Sequence, residues 1–499
     1  MQLSDLIQEL TEVSICGNIN AKVTKVIHDS RKAKPGSLFV CIKGTSADGH
    51  DFLSEVIAAG VRAVVIEDDY ILDEPVEKIL LEEGTIVRVP DTRYALAYIA
   101  AAFYSNPAKY LTTIGITGTK GKTTTACLIY NILMKAGLKV GLIGTIESII
   151  GSEHIPSGNT TPESVILQEY MARMVEAGMD VVVMEVSSQG LKMSRTEGFV
   201  FDYGIFTNFG EDHIGPGEHE NTDEYLECKS KLFRQCRVGI VNCDDMKWKQ
   251  IIREHTCDVE TYGFSEKADY RVVYTENCNE NGKLRVKFQV EEQIEGAYYD
   301  FETSTPGLFS VYNSLAAIAL CKNFGIEDKT IKEALSKSAA KGRMEMADIG
   351  KDYTLLIDYA HNAMSLRSLL KTLREYKPKR LICLFGCGGN RSKLRRVEMG
   401  QVSGELADLT IITSDNPRYE NPQAIIDDIK AGLIPTGGKF VEICDRKAAI
   451  AYGMSIAEKG DILILAGKGH EDYQEIRGKK YPMDERVLIK EILKEGTDG

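Results

Sequence analysis

No run of eighteen or more apolar residues occurs in the 499-residue chain, so nothing in it reads as a membrane-spanning helix. Basic residues are also in deficit. Sixty Lys and Arg stand against 73 Asp and Glu, a formal net charge of -13, and this argues against a nucleic-acid partner, because phosphate backbones are gripped by an excess of Lys and Arg. The opening "MQLSDLIQELTEV" carries acidic residues where a secretory leader needs positive charge and an apolar stretch, so the cytoplasm is the expected location. CxxC pairs are missing. The closest of the twelve cysteines, Cys383 and Cys387, lack the spacing of a zinc knuckle or redox centre, and reduced structural thiols are expected. There is no internal repeat or low-complexity tract. What remains, 43% hydrophobic and 27% charged residues, has the balance of a soluble globular protein of several domains.

The order of segments suggests three α/β domains. Over residues 1–107, short apolar runs such as "SLFVCI" and "RAVVIED" alternate with helical patches such as "DFLSEVIAAG". The turn signal "YSNPAKY" places a boundary near residue 107. Over residues 108–341, "TTIGIT", a glycine loop, the helix "TTTACLIYNILMKAG" and "KVGLIGT" form a βαβ unit, and "DVVVMEV", "YGIFTNF" and "VGIVNCDD" extend a mostly parallel sheet. An Asn-Gly turn inside "YRVVYTENCNENGKLRVKFQVEE" predicts an antiparallel hairpin appended to this central domain. Over residues 342–499, "TLLIDYA", "RLICLFG", "LTIITSD", "KFVEIC" and "DILILAG" predict five strands of a second open, Rossmann-like sheet. Ligands on such sheets lie beyond the strands' carboxyl ends, where "DYAH", "GCGGN", "SDNPR" and "GKGHE" fall.

The segment "GITGTKGKTTTACLI" (115–129) carries the first chemistry. A full phosphate-loop pattern wants a glycine at position 116, which is Ile here, but Gly118, Gly121, Lys122, Thr123 and Thr124 sit between a strand and a helix as the motif requires. Glycines let backbone N–H groups curl around phosphate oxygens, the helix start adds a favourable dipole, Lys122 adds charge, and a hydroxyl can ligate Mg²⁺. Glu185 closes "DVVVME", at the edge where Mg²⁺ beside phosphates would sit. "TNFGEDHIG" repeats that placement with Asn208, Asp212 and His213. Lys229 and Lys231 in "ECKSKLF" both read as solvated charges on a polar helix.

Together these segments resemble the Mur ligases, which build the peptide of bacterial cell-wall precursors by ATP-driven amide formation. The resemblance spans the chain and rests on "GTKGKTT", "MEVSSQGL", "TNFGEDH", "YLECKSKLF", "NSLAA", "GRME", "DYAH" and "SDNPR" in this order. It implies a three-domain architecture: a UDP-binding N-terminal domain, a central ATP-binding domain and a C-terminal domain for the amino acid. Among family members the likeness is greatest to those that add the third residue, and it implies UDP-MurNAc-L-Ala-D-Glu as acceptor in peptidoglycan synthesis, with ATP, Mg²⁺ at two sites and an acyl-phosphate intermediate.

The resemblance also assigns roles. ATP falls to Gly118, Thr119, Lys120, Gly121, Lys122, Thr123 and Thr124, with Asn313 at adenine, Arg343 at the phosphates and Asp358 at the ribose. Metal falls to Thr123, Thr124, Glu185, His213 and Lys229, the last as a carbamate formed with CO₂, and catalysis to Lys122, Glu185, His213 and Lys229. Ser30 and Arg31 in "DSRKAKPGSLFV" match the uridine site. Asn159, Thr160, Thr161, Ser187 and Arg195 match the muramoyl-dipeptide site. "DNPR" resembles the members that add meso-diaminopimelate, in which an Arg grips the far carboxylate as a fork; this gives Arg418, with Arg396, Asp415, Asn416, Gly467 and Glu471 completing the pocket. A monomer is expected.

Some positions depart from the family pattern: Met193 replaces a glutamine, Ala363 and Met364 a Pro-Asp pair, and Asn390 and Ser392 two acidic residues. "DHIGPGEH" offers both His213 and His219 for one role. The alternatives are a ligase for lysine or ornithine, another amide ligase of the superfamily such as a folylpolyglutamate synthetase, and a nucleotide-binding paralogue without catalysis. The uridine-like segment argues against folate.

Overall fold

The structure is a computed structural model and describes residues 1–44, 47–210, 214–215 and 218–495. Its contacts divide the chain into two units, Met1–Ala268 with Ala319–Phe324, and Asp269–Ile318 with Gly325–Gly499. Among the described residues no helix is long and apolar enough to cross a membrane.

The first unit opens with a five-stranded sheet in which Lys25–Ile27, Ser37–Val40, Ala63–Glu67 and Thr85–Val89 run parallel and Ser14–Gly17 pairs antiparallel at the edge. Its strands read as near-continuous apolar runs because both faces are covered. Leu38, Val40, Val65 and Val87 pack into one core, and Phe39, Val64, Ile66 and Ile86 into the other.

A larger sheet follows, ordered Asp258–Gly263, Cys236–Asn242, Phe201–Phe206, Thr112–Thr117, Val181–Glu185, Val140–Ile143, Glu147–Ile150 and Glu153–Pro156. The first six are parallel and the last two turn back antiparallel. Thr112–Thr117 lies at the centre, where the chain order reverses, which is where open α/β sheets form their ligand crevice. The helix that follows it, Lys122–Lys135, ends in a left-handed Gly137 (φ 92°), and the Leu138 N–H reaches back to the Leu133 carbonyl at 3.1 Å.

In the second unit Tyr270–Glu280 and Lys283–Glu292 form the expected hairpin, with both turn residues left-handed, Asn281 at φ 54° and Gly282 at φ 79°. One feature differs from the sequence reading. A third strand, Ala297–Thr303, extends the hairpin. Within this unit the hairpin also touches the C-terminal sheet: Thr354 Oγ1 donates to the Gly282 carbonyl at 2.6 Å, and Leu284 shares a core with Leu356 and Leu369. That sheet runs Glu345–Met346, Thr354–Asp358, Ile462–Ala466, Leu381–Phe385, Leu409–Ile412 and Phe440–Glu442, parallel except for the first strand. Leu366, Leu370, Met399 and Ile426 cover one face, and Ala449, Ile450 and Ile489 the other.

Candidate active site

The phosphate loop leaves the central strand after Thr117 and turns on two glycines in the left-handed region, Gly118 (φ 146°) and Gly121 (φ 87°). A Cβ on Gly118 would stand 2.0 Å from Thr207 Oγ1, so glycine is demanded twice over, by conformation and by space. The neighbouring strand exit braces the loop. Thr119 N donates to the Asn208 carbonyl at 2.8 Å, Lys120 N to Asn208 Oδ1 at 2.9 Å, and Thr207 Oγ1 to the Lys120 carbonyl at 2.7 Å. Lys122 begins the helix, and its ammonium lies inside the loop, 2.8 Å from the Gly118 carbonyl and 3.2 Å from that of Thr119.

Register explains Glu185. It pairs with Ile116, one strand over, so its carboxylate emerges beside the loop. Only 1% exposed, it accepts from Thr123 Oγ1 at 2.9 Å, Thr145 N at 2.7 Å and Thr145 Oγ1 at 3.0 Å. A Cβ on Gly144 would reach to 2.6 Å from Glu185 Oε1, so the carboxylate is cradled closely. Among the described residues no cluster of three His, Cys, Asp or Glu side chains has metal-binding geometry. The Thr123 hydroxyl and Glu185 carboxylate are hard oxygen donors, and one or two such groups beside nucleotide phosphates are the setting Mg²⁺ uses, so these residues fit that ion.

Burial separates Lys229 from Lys231, which is only partly covered. On the helix Thr222–Arg234, Tyr225, Cys228, Lys229, Leu232 and Phe233 form the buried stripe at i, i+3, i+4, i+7 and i+8. Lys229 is 1% exposed; its Nζ donates to the Gly118 carbonyl at 2.9 Å and lies 4.4 Å from the centre of the Tyr225 ring. Two lysines thus converge on one loop carbonyl. Asp212 and His213 lie outside the described residues. His219 is buried, with Nε2 2.9 Å from Ser188 Oγ.

The candidate dipeptide residues cluster around the same strand end. Thr160 Oγ1 is 3.0 Å from Thr145 Oγ1, and Thr161 Oγ1 donates to the Glu185 carbonyl at 3.0 Å while accepting from Ser187 N at 2.9 Å. Ser187 caps the short helix that follows, and Arg195 donates to the Thr161 carbonyl at 2.9 Å. Asn159 is exposed nearby in sequence. Ser30 and Arg31 lie on the N-terminal sheet's 3-10 turn, where Asp29 holds the Arg31 guanidinium at 2.8 and 2.9 Å.

In the second unit Arg343 lies 4.8 Å from the centre of the Tyr359 ring, next to Asp358, which ends its strand. Burial pushes the Asp358 carboxyl above the ordinary range, opposed by Arg343 and the N–H groups of Met344 and Ala360. Asn313 is buried on the helix Leu308–Asn323.

The residues assigned to the amino acid do come together at the carboxyl edge. Arg418, left-handed at φ 51°, donates from Nε to Glu475 Oε2 at 3.0 Å and from Nη1 to the Gly389 carbonyl at 2.8 Å. Asn416 Nδ2 donates to Glu471 Oε2 at 2.8 Å, and Gly467 faces Asp415. Arg396 is 1% exposed and occupied: Glu420 and Asp428 take its guanidinium at 2.8 to 2.9 Å, and its pull holds the Glu420 carboxyl down at about 2. Its contribution is to the loop that Arg418 touches, since Glu420 also accepts from Asn390 N. One residue at the centre of the cluster escaped sequence reasoning: Lys468, fully buried, with its ammonium on Asn416, Glu471 and Tyr473.

Known proteins resemble this chain along its whole length. The family description "Mur ligase family, catalytic domain" matches residues 22–104, "Mur ligase middle domain" residues 116–321 and "Mur ligase, glutamate ligase domain" residues 342–469. The chain is 44% identical over 496 residues to the UDP-N-acetylmuramoyl-L-alanyl-D-glutamate--2,6-diaminopimelate ligase of Caldanaerobacter subterraneus subsp. tengcongensis, covering 99% of each. It is 39% identical over 499 residues to ligase 1 of that name from Clostridium acetobutylicum, covering 99% of this chain and all of the relative. A solved structure of a 2,6-diaminopimelate ligase of that name superposes with a TM-score of 0.73 at 26% identity, covering 100% of this chain and 99% of that one. With its three-domain α/β architecture, the chain belongs to the Mur ligase family.

Proposed function

We propose that this protein is the ATP-dependent ligase that joins meso-diaminopimelate to UDP-MurNAc-L-Ala-D-Glu, acting as a cytoplasmic monomer in peptidoglycan precursor synthesis. The observation that carries the reading is the braced loop Gly118–Gly121 with Lys122 inside it and Glu185 against Thr123, in a chain whose full-length relatives bear that activity in their names. The domain boundaries are placed near residues 107 and 341.

The chemistry follows from the donors. The backbone N–H groups of residues 118–124 and the Lys122 ammonium bind the ATP phosphates and stabilise charge on the transferring γ-phosphoryl group. Arg343 supports the phosphates, Asp358 the ribose and Asn313 the adenine. Thr160, Thr161, Ser187 and Arg195, with Asn159, hold the dipeptide so that its carboxylate oxygen lies in line with the γ-phosphorus. That oxygen forms the new P–O bond as ADP leaves. The amine of diaminopimelate then attacks the carbonyl carbon and gives up one proton, the C–O bond breaks, and phosphate departs with the substrate's oxygen and takes up that proton. Thr123 or Thr124, Glu185, His213 and a carbamylated Lys229 would hold Mg²⁺ at two sites, and the ions would supply charge neutralisation on the phosphates.

Phosphate release measured with UDP-MurNAc-L-Ala-D-Glu and ATP tests the assignment: release requires an amino acid, and meso-diaminopimelate exceeds lysine and ornithine. Release with lysine equal to that with diaminopimelate contradicts the substrate; no release with any amino acid favours the non-catalytic alternative. Two further outcomes follow. Glu185→Gln, which weakens the partner of the Thr123 hydroxyl, raises the half-saturating Mg²⁺ concentration by about 10- to 100-fold, read from a magnesium titration of the rate. Stripping CO₂ from the buffer lowers the rate several-fold and bicarbonate restores it, because the Lys229 carbamate forms reversibly; a rate indifferent to CO₂ removes the carbamate from the account.

A further inference from the structure

We infer that Lys468 is the positioning residue that sets the amide of Asn416 and the carboxylate of Glu471 for the incoming amino acid, an inference that rests on the ligase reading above. Lys468 follows the strand Ile462–Ala466 by two residues and is 0% exposed. An ammonium has three N–H donors, and all three are used: Asn416 Oδ1 at 2.9 Å, Glu471 Oε2 at 2.8 Å and the Tyr473 carbonyl at 2.5 Å. Asp415 Oδ1 stands 3.4 Å away as a further ionic partner. A lysine buried this completely is held only by such a set of partners, and removing it leaves buried acceptors facing one another.

Asn416 shows what the arrangement decides. Its Oδ1 receives two donors, Lys468 Nζ and Glu475 N, each at 2.9 Å. A flipped amide would set an NH₂ group against both, so one orientation alone is permitted and Nδ2 is directed at Glu471 Oε2. Glu475 in turn grips Arg418 through its carboxylate at 3.0 Å. Lys468 therefore ties together the two sides of the pocket, the "SDNPR" loop and the hairpin Tyr473–Ile476 with Lys479–Pro482. Charge has a consequence as well. One ammonium between the carboxylates of Asp415 and Glu471 leaves a net negative charge, which suits the ammonium group of an amino-acid substrate, while Arg418 suits a carboxylate at its far end.

The test uses the full chain with Lys468→Met and Lys468→Arg, and Michaelis constants for meso-diaminopimelate, ATP and UDP-MurNAc-L-Ala-D-Glu. Lys468→Met is expected to raise KM for diaminopimelate by about 10- to 100-fold and to narrow the preference over lysine, with KM for ATP and kcat within about twofold. Lys468→Arg keeps the charge but presents a planar fork in place of three tetrahedral donors, and gives an intermediate rise in the same single constant. If Lys468→Met is unfolded by circular dichroism, Lys468→Arg decides: a raised KM for diaminopimelate alone supports the inference, and unchanged constants overturn it. A parallel rise in KM for all three substrates in the folded variants also overturns it, since that marks a general structural role. Failure of the wild-type chain to release phosphate with diaminopimelate counts instead against the ligase reading.

Discussion

Lys122→Ala lowers kcat for diaminopimelate-dependent phosphate release by about 10²- to 10³-fold, the loss typical when one preorganised donor to developing transition-state charge is removed. The reason is local. The ammonium lies within the loop, between the Gly118 and Thr119 carbonyls, so no rearrangement of the backbone is required to present it to phosphate. The loop itself persists in the variant, because Thr119, Lys120, Thr207 and Asn208 brace it without the lysine. Steady-state kinetics of the purified variant, with a thermal melt matching the parent, checks this outcome; kcat within a few-fold of the parent refutes the role given to Lys122.

Arg418→Ala acts on one substrate. KM for meso-diaminopimelate rises by about 30- to 150-fold, which corresponds to about 2 to 3 kcal/mol for a charge-assisted hydrogen-bonded pair, while KM for ATP is unchanged. Arg418 sits at φ 51° with its backbone N–H on the Glu475 carbonyl and its side chain on Glu475 and Gly389, so its guanidinium is oriented before substrate arrives. Lysine, which has no far carboxylate, is affected little, and the ratio of the two KM values shows the effect most cleanly. An unchanged KM for diaminopimelate removes Arg418 from the pocket.

Much of the fold was legible because it is written in apolar runs. Four of the five C-terminal strands and the central "TTIGIT" and "DVVVME" strands are buried on both faces, and such strands leave a continuous signal. The phosphate loop was legible despite Ile116, because that residue is still inside the strand, fully buried and paired with Glu185. The strand Ala297–Thr303 was missed: "AYYDFET" mixes acids with aromatics, and several of its side chains face solvent. Lysines were the other difficulty. Lys229 looked like a solvated charge and Lys468 drew no reading, yet each is buried and donates to a partner far off in the sequence, Gly118 for the first and Asn416 for the second. For Lys229 a signal existed, since it falls at i+4 from Tyr225 and i−3 from Leu232 on the apolar stripe. Nothing local marks Lys468.

The path of a single oxygen atom tests the mechanism most directly. With ¹⁸O in the D-glutamyl carboxylates of UDP-MurNAc-L-Ala-D-Glu, an acyl phosphate formed at the Gly118–Thr124 loop and broken by the amine delivers one heavy oxygen to each phosphate released. Mass spectrometry of that phosphate is expected to show the label in step with amide formation. Phosphate that carries only ordinary oxygen, while labelled substrate is turned over to product, contradicts transfer of the γ-phosphoryl group to the carboxylate.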